Sequence, residues 1–137
     1  MMKTINRYSL IALMIALMTI VTGCTKNDGD PFGLYGVWHL TAAEDGTGAA
    51  IAIDPRTYIA FQNDIVKFYS NDGLVGTSES YGKLAQEGDH YLLTYTSRRD
   101  SDGNYKTVRW EIERDGRSLK ITEHDGDLVT VRHYEKV

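Results

Sequence analysis

The chain has 137 residues, 42% hydrophobic and 25% charged, with a formal net charge of −4. That length suffices for one domain with its own core and is too short for two, and a net negative balance speaks against nucleic acid as a partner. With a single cysteine there is no internal disulfide, so packing alone must hold the fold.

Residues 1–23 differ from the rest. Lys3 and Arg7 precede an almost wholly apolar run from Leu10 to Val21, which ends at Thr22-Gly23-Cys24. A short positive region, a hydrophobic region and small residues at a cut site are the layout of a secretory signal peptide, and the run is shorter than the ~20 apolar residues of a bilayer-spanning helix. Val21-Thr22-Gly23-Cys24 resembles the lipobox of bacterial lipoprotein signals. The resemblance implies cleavage before Cys24, lipid on its thiol and an acyl chain on its amine, so that the mature protein is anchored to a membrane of the bacterial envelope. All four methionines (Met1, Met2, Met14, Met18) lie before this point. Without Lys3 and Arg7 the 15 basic residues become 13 against 19 acidic, a formal −6. Residues 24–33, polar and rich in turn formers, read as a tether. Acidic residues after the cysteine resemble the surface-export signals of some Gram-negative lipoproteins. The outer membrane is the expected address, with its leaflet open.

From residue 34 onward no segment has a helical period. Short alternating runs are punctuated by Asp45-Gly46, Asp72-Gly73, Asp102-Gly103, Asp115-Gly116 and Asp125-Gly126, where glycine accepts the positive φ that a chain reversal needs. The strands expected between them span 36–42, 56–62, 65–70, 75–85, 90–98, 105–113, 118–123 and 128–135. Connections of two to five residues force sequential neighbours to pair antiparallel; only 43–55 is longer, with room for a weak strand at 49–53 or a lid. Alternation turns Val108, Trp110 and Ile112 inward, as it does Leu119 with Ile121 and Tyr91, Leu93 with Tyr95. The expected fold is an all-β, eight-stranded antiparallel up-and-down barrel over 34–137, closed by pairing its first and last strands; an open sandwich is the alternative.

The phrase Leu34-Tyr35-Gly36-Val37-Trp38-His39-Leu40, the run of hairpins and the ending Arg132-His133-Tyr134-Glu135-Lys136 together resemble the lipocalin superfamily, and more closely the short lipocalin-like domains of Bacteroidetes lipoproteins. The resemblance implies that Gly36 lets the chain enter near the barrel base and that Trp38 plugs that end beneath a cation from the last strand, Arg132 or Lys136. A short mature chain with no helical stretch before the last strand implies a small cavity.

Tyr91, Tyr95 and Trp110 are the candidate ligand-lining residues, since inward phenols suit an apolar molecule with a few polar handles; strand preference for tyrosine explains the same residues. Asp100-Ser101-Asp102-Gly103-Asn104 spaces oxygens as a calcium loop does, but Tyr105 stands where glycine is required, and a hairpin tip accounts for it. His39, His90 and His133 fall on separate strands, His124 in a turn, and no metal or cofactor is expected. No nucleophile elbow or phosphate loop is present, and Glu111 and Glu113 share a wet face, so an enzyme is not expected. The functional expectation is a lipid-anchored binding protein that holds a small hydrophobic or amphipathic molecule; the alternative is a solid barrel that binds a partner protein in the envelope.

Overall fold

The computed structural model describes residues 29–72 and 76–137. The signal run, Cys24 and Gly73 lie outside them. Nine strands are formed: β1 (Gly36–Asp45), β2 (Ala50–Ile51), β3 (Thr57–Gln62), β4 (Ile65–Asp72), β5 (Gly76–Glu87), β6 (His90–Arg99), β7 (Tyr105–Asp115), β8 (Ser118–Asp125) and β9 (Leu128–Lys136). All neighbours pair antiparallel, and β1 pairs with β9 from Trp38↔Lys136 to Asp45↔Thr130. The eight long strands therefore form a closed barrel, and the open sandwich is excluded. The ninth strand, β2, occupies the long connection and adds two rungs to the far half of β1, Ala43↔Ile51 and Glu44↔Ala50.

Turn chemistry follows the Asp-Gly reading with one change. Gly103, Gly116 and Gly126 have φ of 84°, 59° and 60°. After Asp45 the positive φ falls on Gly48 (88°) instead of Gly46, because the Asp45 carboxylate accepts the backbone N–H groups of Thr47 (2.9 Å) and Ala49 (3.0 Å) and spreads the turn over more residues. Asp100 does the same at the β6–β7 tip, accepting from the N–H groups of Asp102 (2.9 Å) and Asn104 (3.0 Å). A hairpin tip thus accounts for the oxygens of that loop.

Inside, the alternation holds. Trp38, Ile59, Val66, Leu84, Leu93, Trp110, Leu119 and Ile121 are all less than 2% exposed. At the end of the barrel where β1 starts, the entry segment folds across the opening. Asp30 accepts hydrogen bonds from the N–H groups of Leu34 (2.7 Å) and Tyr35 (2.9 Å), Phe32 packs edge-on against Tyr91 at 5.4 Å, and the Trp38 indole donates to the Leu34 carbonyl at 3.0 Å.

Lys136 Nζ stands 5.7 Å from the centre of the Trp38 ring. Arg132 does not; it lies two pleats back along β9, toward the other end. The second cation on the indole is Arg114 of β7, at 5.1 Å, whose Nη1 also donates to the Gly33 carbonyl. Gly36 has φ 121°, and a Cβ there would meet Lys136 Cε at 3.3 Å. Gly36→Ala should therefore destabilise the protein by about 1–3 kcal/mol through backbone strain and displacement of Lys136. Urea unfolding of the two forms checks this; equal midpoints would refute it.

Candidate functional site

The end of the barrel opposite Trp38 carries the polar interior. Continuing the inward series Leu119, Ile121 along β8 brings Glu123 inside, 8% exposed. A carboxylate so placed loses hydration worth several kcal/mol unless it is well partnered. Glu123 Oε1 accepts the Tyr95 hydroxyl at 3.0 Å and the Trp110 indole N–H at 3.0 Å, and Arg132 Nη1 stands 3.6 Å from it. Phe68 packs against both aromatic partners, 5.5 Å from Tyr95 and 5.9 Å edge-on to Trp110.

Above this cluster is a cavity of about 150 Å³ lined by Leu40, Thr57, Phe68, Ser80, Tyr95, Arg98, Arg132 and Tyr134. Arg98 enters through an irregularity. The β6–β7 register shifts between Thr94 and Arg99, which takes Arg98 out of phase with the Tyr91-Leu93-Tyr95 face and sets its guanidinium 4.7 Å over the Tyr95 ring. Tyr134 is 5% exposed, and its hydroxyl has no hydrogen-bond partner among the described residues. Burial pushes the Tyr95 phenol strongly upward, with Glu123 adding to the shift, and burial likewise pushes the Tyr134 phenol up to about 12.

Of the three residues expected to line a ligand space, Tyr95 borders this cavity. Tyr91 lies at the closed end beneath Phe32, and Trp110 is packed below the cavity with its N–H held by Glu123. A larger hollow, about 470 Å³, lies along the outer wall between β7, β8, β9 and β1, where Glu113, Lys120, His133 and Glu135 line it. It is an open groove whose wall is polar and apolar in nearly equal parts, with Leu119 and Tyr134 at its floor. Among the described residues no group of three or more His, Cys, Asp or Glu side chains is arranged to hold a metal ion.

Two solved structures share the arrangement of the barrel. A lipocalin-like protein from Bacteroides uniformis ATCC 8492 superimposes with a TM-score of 0.56 at 17% identity, over 76% of this chain and 98% of that one. The fold is lipocalin-like. An uncharacterized protein from Bacteroides eggerthii DSM 20697 gives 0.55 at 16% identity, over 76% and 99% of the two chains. No family model and no curated protein matches the sequence.

The buried phenols make alkaline stability a readout of this end. Each phenol is neutral below its titration, so its raised folded pKa contributes stability that is complete below pH about 10, the unfolded value. That stability is lost as the pH climbs toward 12. Tyr134→Phe, which breaks no hydrogen bond, should leave stability at pH 7 within about 1 kcal/mol of the parent and make its fall between pH 10 and 12 shallower. Denaturant midpoints across that range check the difference; parallel curves would show that Tyr134 is not the buried titrating group.

Proposed function

We propose that this chain is a lipid-anchored, lipocalin-like binding protein of the bacterial envelope, with no catalytic role, and that its open-end cavity takes one small amphipathic molecule. The observation that carries the binding role is the 150 Å³ cavity, which is apolar on Leu40 and Phe68 and polar on Arg98, Arg132 and Tyr134. A cavity of roughly 150 Å³ holds a benzene ring in another protein, so the fitting ligand is the size of a single ring or a short chain. Thermal unfolding with a panel of small amphipathic molecules tests this. A ligand bound to the folded state raises Tm, and Ser80→Leu, which fills the cavity, should abolish the rise while keeping the fold; no rise with any member of the panel would refute the reading.

Anchoring is supported by Val21-Thr22-Gly23-Cys24 at the end of an apolar run and by the polar residues 24–33 that would hold the barrel off the lipid. Stable attachment needs more than one acyl chain, as the lipobox chemistry supplies. Cys24→Ala should move the protein from the membrane to the soluble fraction and stop incorporation of labelled palmitate; unchanged membrane association would refute lipidation at this site.

A second reading, a rim that binds a partner protein, draws on Ile51, Tyr105 and Leu128. All three are exposed large apolar residues on the connections and strand ends around the cavity mouth.

A further inference from the structure

We propose that the open-end cavity is a site for a small monocarboxylate, with Arg98 and Arg132 clamping the carboxylate, the Tyr134 hydroxyl donating to it, and Leu40 and Phe68 receiving its apolar body. The inference rests on the reading of the cavity as a ligand site and names the chemistry that site selects.

Charge decides the class of ligand. Two guanidinium groups line the cavity, and among the described residues Glu123 is the carboxylate beside them. Its Oε1 already receives Tyr95 and Trp110, while its contact with Arg132 is 3.6 Å, longer than a hydrogen bond. Neither Arg98 nor Arg132 donates a side-chain hydrogen bond to any described residue. Arg98 is engaged by the face of Tyr95, which leaves the edge of the guanidinium and its N–H groups available. The cavity therefore holds an excess of one positive charge in a chain whose overall balance is −4.

Ligand classes separate on that excess. A cation is repelled. A neutral molecule that displaces water leaves guanidinium N–H groups without acceptors. A dianion carries more charge than the excess it meets. A monocarboxylate restores neutrality, and its planar pair of oxygens matches the guanidinium fork.

The Tyr134 hydroxyl supplies the independent observation. Its ring is buried, but the hydroxyl opens on the cavity, where it has no hydrogen-bond partner among the described residues and can donate to a bound molecule. Its neighbour Tyr95 shows the contrast, since that hydroxyl is taken by Glu123. A bound carboxylate is an acceptor that Tyr134 lacks. The volume sets the other limit: about 150 Å³ admits a short alkyl or single-ring acid and excludes a long acyl chain.

Calorimetric titration of the full-length protein with butyrate and benzoate, and in parallel with butanol and benzyl alcohol, tests the assignment, because the alcohols keep the apolar body without the charge. The acids should bind at least about tenfold more tightly than the alcohols. Arg98→Gln, at the exposed rim where folding is spared, should weaken the acids by about tenfold and leave the alcohols unchanged. Glu123→Gln should tighten the acids: glutamine keeps an acceptor for Tyr95 and Trp110 while the competing charge is gone, whereas damage to the fold would weaken them. Alcohols that bind as well as the acids, or acids indifferent to Arg98→Gln, would overturn the carboxylate site and leave the binding barrel standing. Binding of neither acids nor alcohols would overturn both.

Discussion

Closure of the barrel through the β1–β9 ladder is the constraint from which the remaining structure follows. Once the first and last strands pair, the interior of eight strands is just wide enough for side chains or for one small ligand, and every inward position competes for that space. Trp38 and Trp110 are the largest of the fully buried side chains in it. Gly82 shows how tight the fit is, since a Cβ there would come within 2.7 Å of Leu93 Cδ1. The same closure brings Lys136 to the side of Trp38, while Arg114 ties the indole to the entry segment through the Gly33 carbonyl. β1, β7, β9 and the chain before β1 thus meet at one ring.

The two ends of the interior are consequently unlike. At the Trp38 end the polar atoms are satisfied locally, indole to Leu34 carbonyl and Leu34 N–H to Asp30. At the other end a buried carboxylate is held by a phenol, an indole and, at longer range, a guanidinium. Breaking such a group from its partners is strongly destabilising, whereas an apolar replacement of the whole set is often neutral. Two partners of that carboxylate, Tyr95 and Arg132, also border the cavity, so the polar pole and the open end share the same side chains.

Tyrosine abundance divides between these ends and the outer wall. Tyr58 and Tyr69 stack at 5.4 Å on the outside, with His39 beside Tyr58 at 4.9 Å and Lys67 over Tyr69 at 5.0 Å. Such cross-strand pairs stabilise a sheet by a few tenths of a kcal/mol each and need no ligand. Tyr81 is also exterior, bonded to Glu79 at 2.8 Å. Only Tyr95 and Tyr134, among the tyrosines of the sequence pattern, border the cavity.

Read alone, the sequence determined the all-β class, the eight long strands, the hairpin order and the inward faces of β7 and β8, because period-two alternation and Asp-Gly turns are local signals. Gly36 and Trp38 were legible as a pair, and Glu123 could have been found by carrying the Leu119-Ile121 alternation one step further. What the tertiary structure alone decided was which long-range partners meet. Arg114 reaches Trp38 from a strand that is distant in sequence, so no spacing rule connects them. Arg98 reaches the cavity rim and the Tyr95 ring through a register shift that breaks the alternation. Arg132, equally suited by sequence to stack on Trp38, goes to Glu123 instead, because positions two pleats apart on one strand face different levels of the same interior.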